Sequence, residues 1–396
     1  MDKKLSSYIA GIIEDVAGKG DAAVISYTAK WDKVKLSPRD FRVSRKALLS
    51  AGGMLEPDLK KSIEMAAKNI KRFHAIELSN IKRSWSVVYD GVKTGQNYNP
   101  VETAGIYVPG GRFPYPSTVL MTAIPARVAG VKRIIMVTPP GNLSPAVLYA
   151  ARIAGVDEIY GVNGPAAIAA MAIGTFTIPK VDIIAGPGNA YVNEAKRQVL
   201  GWVGIDSLAG PSEVAIIADS SAKPAYIAAD ILAQLEHDPD ARAFLFTNSR
   251  VLLNKVSAIL KKDGKRFNLR IQFQAKLCSL VKAVESVNRI APEHLELMVR
   301  KPVGYVAAIK NAGAVFVGNN TPTAVGDYWA GPSHVLPTAR RARFSSGLSV
   351  QTFMKRTSYI ECSASVIKKF GKIVEKLASA EGLENHRKSI AARYKK

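Results

Sequence analysis

Cysteine is scarce in this chain, with only Cys278 and Cys362 among 396 residues. The two lie far apart and outside any CxxC spacing, which excludes a disulfide framework and a zinc site built from paired thiolates. Long apolar runs are missing as well, since no window approaches the roughly 18 apolar residues of a membrane span. The amino-terminal apolar stretch stops at Glu14 after about six residues, too few for a signal peptide. We therefore expect a cytoplasmic protein that has no membrane partner.

Acidic residues are few compared with basic ones: 32 Asp and Glu stand against 55 Lys and Arg, a formal net charge of +23. Such an excess admits nucleic acid as a partner. The basic residues are nevertheless spread along the chain without an RNP, helix-turn-helix or finger motif, which is typical of a solvated surface. The pattern GxxxxGK[ST] is also absent, which disfavours P-loop nucleotide chemistry. A nucleic-acid-binding protein stays as a disfavoured alternative to an enzyme.

The length predicts about two or three cores, and 47% hydrophobic with 22% charged residues is ordinary globular usage. From about residue 119, apolar runs of strand length alternate with longer helical patterns, which is typical of an α/β fold with parallel βαβ layers. Helix start signals such as Ser144-Pro145 and Pro224 favour helices over 144–155, 189–200 and 224–237. The predicted strands are 133–139, 157–162, 181–186, 213–219 and 241–247.

The two ends of the chain have a different pattern. Residues 1–100 predict two or three amphipathic helices, and residues 355–396 predict a basic helical tail. There is no internal repeat, low-complexity tract or long linker, so we expect the domain borders in loops near residues 105 and 210.

Histidine is a useful guide to chemistry, because the chain has only five. His237 ends the segment QLEH, three residues after Gln234, so an amide and an imidazole could meet one cation on a helix face. An exposed helix end is the favoured interpretation of that segment taken alone. Glu293 and His294 form a possible acid and base pair in APEHLEL, although a solvated helix start remains an alternative.

The remaining histidines lie in less specific surroundings. Asp327 and His334 flank a Gly-Pro turn in GDYWAGPSHVLP, where their side chains could equally cap the turn. His386 follows Glu381 in EGLENH near the carboxyl end, where a frayed helix is the default expectation. His74 is read as an ordinary amphipathic-helix residue. Together the imidazoles, the amide and the carboxylates suit a zinc ion with nitrogen and oxygen ligands and open positions for substrate.

Glycine-rich turns are the second class of signal. The segment AGPGNAYVNEAK follows a predicted strand and opens a helix, as an anion-binding turn should. Gly186 and Gly188 have the dinucleotide spacing, but Tyr191 stands at the third glycine position, so the fingerprint is incomplete. The turns at 107–117 and 209–213 could simply reverse the chain.

Taken together, these segments resemble the histidinol dehydrogenase family over about residues 20 to 390, in family order. The matching stretches are 105–131, 186–199, 204–219, 231–241, 291–297, 321–337, 342–350 and 381–386.

The resemblance implies an NAD-dependent and zinc-dependent oxidation of histidinol, an amino alcohol, to histidine. It implies two Rossmann-like parallel-sheet domains, an N-terminal helical segment and a C-terminal tail that reaches the partner's site in an intertwined homodimer. The implied divisions are 1–19 for the N-terminal segment, 20–105 plus 210–350 for the domain with the metal and acid/base residues, 106–209 for the cofactor side, and 351–396 for the tail.

The resemblance also implies a role for particular residues. Glu293 and His294 would be the catalytic pair. The zinc ligands would be Gln234, His237, Asp327 and His386. The substrate pocket would comprise Ser212, Gln234, His237, His294, Asp327, His334, Glu381 and His386. Tyr107 and Asn189 would lie against NAD.

The chain departs from the family pattern at three turns. The family's Gly-Gly-Ala-Gln-Ala-Ile turn is Asn-Gly-Pro-Ala-Ala-Ile at 163–168, so Ala166 replaces the glutamine that touches the cofactor. Gly-Pro-Asn-His becomes Gly-Pro-Ser-His at 331–334, and the turn after Leu-Pro-Thr is Ala339-Arg340-Arg341, which adds positive charge near the expected site. These departures leave open a paralogue that keeps the machinery and oxidises another polar alcohol.

Overall fold

The computed structural model describes residues 3–110 and 114–395, so residues 111–113 of the predicted turn at 107–117 lie outside the described part, as do 1, 2 and 396. The chain divides into two compact units. One comprises Met1–Leu78 and Val101–Phe353, and the other comprises Ser79–Pro100 and Met354–Lys396. None of the described helices is both long enough and apolar enough to cross a membrane.

Helices and strands alternate through most of the chain. The helices are α1 (Lys3–Lys19), α2 (Asp21–Asp32), α3 (Arg45–Ser50), α4 (Pro57–Ser79), α5 (Pro116–Ala129), α6 (Pro145–Ala154), α7 (Gly164–Ile173), α8 (Ala190–Val199), α9 (Pro224–Leu235), α10 (Arg250–Asp263), α11 (Leu269–Gln272), α12 (Leu280–Ile290), α13 (Val303–Val306), α14 (Thr323–Tyr328), α15 (Ala364–Ala380) and α16 (Glu384–Ala391). The strands are β1 (Ser84–Tyr89), β2 (Val92–Pro100), β3 (Thr103–Tyr107), β4 (Arg133–Thr138), β5 (Glu158–Gly161), β6 (Ile183–Ala185), β7 (Gly204–Ile205), β8 (Glu213–Ala218), β9 (Arg242–Thr247), β10 (Phe273–Leu277), β11 (His294–Met298), β12 (Ala314–Val317) and β13 (Met354–Cys362).

The first unit contains two parallel five-stranded sheets, which confirms the predicted α/β fold class. The first sheet has the order β5-β4-β3-β6-β7 and includes three of the predicted strands. Its helices begin and end where the sequence signals stand: the Ser144 hydroxyl accepts the N–H of Val147, and Gly155 follows α6 in the left-handed conformation. Side chains of α1, α2, α7 and α8 cover one face of this sheet as a continuous apolar core.

The second sheet has the order β10-β9-β8-β11-β12, and its strands are also parallel. Strands β8 and β9 match the predicted runs, and α9 begins at Pro224 as its start signal indicates. Apolar cores cover both faces of the sheet. Strand β11, which starts at His294, is buried along its whole length.

The second unit corrects the sequence prediction at the two ends of the chain. Residues 354–362, which were predicted as part of a helical tail, form strand β13 and pair antiparallel with β2. Strand β2 pairs in turn with β1, so residues 84–100 form a hairpin rather than a helix or a polar link. Beyond β13 the tail is helical as predicted, in α15 and α16.

Replacing Gly186 with alanine should destabilise the first unit strongly. Gly186 has φ +124°, and a Cβ there would overlap the carbonyl oxygen of Tyr107. The left-handed backbone alone costs about 1–3 kcal/mol, and the overlap adds to it. Gly201 is the matched control, because its φ is +110° but no atom lies within 4 Å of its Cβ position. Urea unfolding of both alanine variants checks the prediction, and equal losses of unfolding free energy would contradict the close approach.

Candidate functional site

The candidate site lies at the amino ends of the second sheet. Glu213 opens β8, and Glu293 directly precedes β11, with β8 and β11 paired side by side. Helix α9 runs back from the carboxyl end of β8 towards the amino ends of the strands. Its last turn carries Gln234, which therefore lies at the same edge of the sheet as Glu213 and Glu293. His237 follows two residues after the end of the helix. Ligands in open α/β sheets usually bind at the carboxyl ends of strands, and this site therefore uses the opposite edge of the second sheet.

The Glu293 carboxyl is buried and held in place. Its Oε2 accepts the backbone N–H of Glu213 at 3.0 Å, and the Ser212 hydroxyl also hydrogen-bonds to the carboxyl. The Nδ1 atom of His294 lies 3.6 Å from Oε2 of Glu293. Because Ser212 and Glu213 come from the neighbouring strand and the turn before it, strand pairing positions Glu293 directly.

The imidazole of His294 lies between two carboxyls. Its Nε2 atom is 3.9 Å from Oδ1 of Asp327, on the side opposite Glu293. Both ring nitrogens are buried and have no hydrogen-bond partner among the described residues. Buried polar atoms are almost always hydrogen-bonded, so two free nitrogens on one ring indicate a position that binds a ligand.

His334 is fixed beside this group by both of its nitrogens. Nδ1 lies 3.1 Å from the carbonyl oxygen of Asp327, and Nε2 lies 3.4 Å from the Thr118 hydroxyl of α5. The neighbouring Ser333 hydroxyl donates to the Met121 carbonyl, also on α5. Helix α5 follows strand β3 of the first sheet, so these bonds join the carboxyl edge of the first sheet to the site.

Gln234 and His237 complete the cluster on the α9 side. Gln234 is buried, and its amide Nε2 has no partner within the described part of the chain. His237 is exposed but lies close enough to His294 and His334 to add to the lowering of their pKa that burial mainly causes. His237 also lines a cavity of about 1390 Å³ bounded by α4, the start of α5, Tyr328 and Trp329. That volume exceeds the roughly 300–1000 Å³ of ordinary ligand pockets.

Burial dominates the electrostatics of the site. It raises the pKa of Glu293 to about 8, with the charges of Asp327 and Glu213 adding to the shift, and it raises the pKa of Asp327 to about 7. The same loss of water lowers the pKa of His294 to about 3 and that of His334 to about 4. Desolvation favours the neutral form of every group. Shifts of this size in several adjacent groups are typical of functional sites.

The predicted NAD contacts lie at the carboxyl edge of the first sheet. Tyr107 ends β3, is buried, and donates its hydroxyl proton to Oδ1 of Asn163 at 2.9 Å. Asn189 is exposed and caps α8, where its side chain accepts the N–H groups of Tyr191 and Val192. Both positions adjoin glycine turns after parallel strands, and their assignment to NAD stays a prediction.

Two predicted site residues belong to the second unit. Glu381 follows the last turn of α15, His386 lies on α16, and both are exposed. Among the described residues, no three His, Cys, Asp or Glu side chains are grouped closely enough to hold a metal ion. A metal site built from the predicted residues therefore depends on the Gln234 amide and on a further ligand such as His386.

Comparisons with known proteins show the family of the chain. The family model described as histidinol dehydrogenase matches residues 1–394. The chain belongs to the histidinol dehydrogenase family. It is 48% identical to the histidinol dehydrogenase of Thermosynechococcus vestitus, over 97% of this chain and 92% of that protein. The Rhodospirillum rubrum histidinol dehydrogenase is 45% identical, over 98% of this chain and 92% of its own length.

A solved structure extends the comparison to three dimensions. The crystal structure of histidinol dehydrogenase from Elizabethkingia anophelis has a TM-score of 0.92 and 37% identity, covering 99% of this chain and 93% of that one. Membership of the histidinol dehydrogenase family makes the chain an oxidoreductase, which confirms the predicted enzyme class.

The departures from the histidinol dehydrogenase pattern have local consequences. Ala166 is fully buried in the first turn of α7 and offers no polar side chain. Ala339 and Arg340 have left-handed backbones, with φ 52° and 66°, where glycine is the usual choice. The charge of Arg341 acts on Glu213, where it opposes the rise in pKa caused by burial. The added charge therefore acts on β8, whose Glu213 N–H bonds to the Glu293 carboxyl.

Sequence reasoning missed two parts of the site. Glu213 contributes a backbone donor to Glu293 and a buried carboxyl oxygen without a partner within the described residues. Glu296 is fully buried on β11 and faces Asp230. The signal for Glu296 was present, because a charged residue in the middle of the apolar run His294–Met298 needs a partner.

Proposed function

We propose that this chain oxidises L-histidinol to L-histidine through bound histidinaldehyde, using zinc and NAD, as the last two oxidations of histidine biosynthesis. The observation that carries the proposal is the buried imidazole of His294, with both nitrogens free between Glu293 and Asp327. The relatives named histidinol dehydrogenase support the choice of substrate.

The donor set fits a zinc ion. Gln234 and Asp327 can supply oxygen, and His237 can supply nitrogen. The buried amide of Gln234 has its Nε2 without a partner among the described residues, and rotation of the amide by about 180° would place its oxygen at that position. We propose these three with His386 as the ligands. Zinc, when bound, orients nitrogen and oxygen donors of a substrate and withdraws electron density from them.

The first sheet fits NAD. The glycine turn after β6 leads into the amino terminus of α8, an arrangement suited to binding phosphate. Asn189 caps α8, and Tyr107 ends β3, the strand paired with β6. NAD, when bound, accepts one hydride in each of the two oxidations.

His294 is the base in this proposal. Because its pKa is low, the imidazole is neutral at neutral pH and can accept the hydroxyl proton as hydride leaves the carbinol carbon. When they are ionised, the carboxyls of Glu293 and Asp327 on either side of the ring stabilise the cation that forms. His334, fixed by its two hydrogen bonds, and Ser212 line the substrate pocket.

Glu293 acts between the two oxidations. In its ionised form, whose share grows as the pH rises through the raised pKa of about 8, the Glu293 carboxyl accepts a proton from the water that adds to the aldehyde. The raised pKa also makes this carboxylate a stronger base than an exposed glutamate. The aldehyde oxygen takes up the proton that His294 holds, which completes the gem-diol and returns the imidazole to its neutral form. The gem-diol then loses a second hydride while His294 again accepts the hydroxyl proton. One alcohol and one water thus yield one carboxylate, two hydrides and three protons.

The stoichiometry of the reaction tests this function. Zinc-loaded protein mixed with histidinol and NAD should form two NADH for each histidine. A panel of other polar alcohols tests the alternative that the chain is a paralogue with a different substrate. A paralogue would reduce NAD with one of those alcohols and leave histidinol unchanged. One NADH per histidinol, with free aldehyde as the product, would contradict the coupled oxidation.

We further propose a homodimer in which His386 and Glu381 complete the partner's site, as the resemblance to the histidinol dehydrogenase family implies. Mixed dimers of the His237→Ala and His386→Ala variants should then regain one intact site, because one protomer supplies His237 and the other supplies His386. NADH formation after the two variants are refolded together measures this. Mixtures as inactive as either variant alone would contradict a shared site.

A further inference from the structure

A buried carboxyl lies at the centre of the second sheet. Glu296 is fully buried on β11, two residues after His294 and so on the same face of the strand. An isolated carboxylate in this position would be very costly, so Glu296 requires hydrogen-bond partners.

One partner is the start of α14. Oε1 of Glu296 accepts the backbone N–H of Thr323 at 3.1 Å and the Thr323 hydroxyl at 2.9 Å. Thr323 is the first residue of α14, and Asp327 lies one turn later on that helix. These two bonds therefore fix α14, and Asp327 with it, against β11.

The other partner is Asp230 on α9. Oε2 of Glu296 receives no N–H or hydroxyl donor from the described residues, and the carboxyl of Asp230 is hydrogen-bonded to the carboxyl of Glu296. Two carboxyls hydrogen-bond only if one of them holds a proton. Burial raises the pKa of both, so a shared proton is favoured. Asp230 lies one turn before Gln234 on α9.

We propose that Asp230 and Glu296 are positioning residues, whose shared proton and whose bonds to Thr323 fix the spacing between the metal ligands on α9 and Asp327 on α14. Helix α9 packs mainly against α10, β8 and β9, and the carboxyl pair links it to β11. The inference rests on the proposed zinc site and concerns how its ligands are held. Outer partners of this kind typically change metal affinity about 10- to 100-fold when they are removed.

Zinc affinity, measured on the full chain by competition with a chelator, tests the proposal. Asp230→Ala should weaken zinc binding about 10- to 100-fold. Asp230→Asn and Glu296→Gln should keep it close to wild type, because an amide N–H supplies the hydrogen bond without a shared proton. A double variant, Asp230→Leu with Glu296→Met, removes both buried carboxyls; apolar replacement of a buried polar pair is often neutral for stability. It should fold and still bind zinc weakly.

Ile231→Val is the matched control, since Ile231 is fully buried on the same helix but faces the apolar core. It should lower the thermal unfolding midpoint and leave zinc affinity unchanged. Wild-type affinity in the double variant, or equal losses in Asp230→Asn and Asp230→Ala, would overturn the inference. A wild-type chain that binds no zinc would overturn the proposed function itself.

Discussion

Replacing Glu293 with glutamine is expected to lower the rate of histidinaldehyde oxidation about 10²- to 10⁴-fold, the usual contribution of a general base. Glutamine has nearly the same shape and can still accept the N–H of Glu213, which now bonds to Oε2 of Glu293 at 3.0 Å. It cannot accept a proton from water, so hydration of the aldehyde loses its base. Single-turnover NADH formation from added aldehyde measures this step.

The zinc content of the Glu293→Gln variant should equal that of the wild type, because Glu293 is not among the proposed ligands. Its folding should also be intact, since burial already favours the neutral form of this carboxyl. Glu293→Asp is the companion variant, which keeps a carboxylate at a greater distance and should retain part of the rate. Loss of zinc in parallel with activity, or an unchanged rate with aldehyde, would remove Glu293 from the role of base.

His237→Ala is expected to cost more than about 100-fold in zinc affinity, because removal of outer partners alone costs 10- to 100-fold. Dehydrogenase activity should fall with it. His237 is exposed beyond the end of α9, so little packing is lost and the thermal unfolding midpoint of the metal-free protein should stay close to wild type. Elemental analysis and chelator competition measure the zinc.

Asp240→Asn is the control for His237→Ala, since Asp240 is exposed in the same loop three residues away and should not affect zinc. A zinc content in His237→Ala equal to that of this control would exclude His237 as a ligand.

The parallel sheets could be predicted from the sequence because their signals are local. Runs such as 133–139 and 213–219 are apolar, have strand length, and are bounded by Gly, Pro or Ser. The antiparallel sheet could not be predicted this way. Strand β13 pairs with β2 across more than 250 residues of chain, with Tyr359 opposite Gly95, and most of its side chains are exposed. An exposed strand lacks the apolar alternation that marks a half-buried one.

Three residues of the candidate site could be selected from the sequence, but their environment could not. Glu293, His294 and Asp327 stood out by type and spacing, and the structure brings them together. Their pKa shifts come from burial, which depends on the strands and helices packed around them. The pairing of Asp230 with Glu296 could not be predicted, because it depends on the packing of α9 near β11 and no local sequence pattern indicates that packing.

Crystals of the zinc-loaded protein, measured on both sides of the zinc absorption edge, test the central claim most directly. The account predicts an anomalous peak at about 2.0–2.2 Å from donor atoms of Gln234, His237 and Asp327, with His386 of one subunit as the fourth ligand. A zinc peak bound by other residues, away from Glu293 and His294, would contradict it.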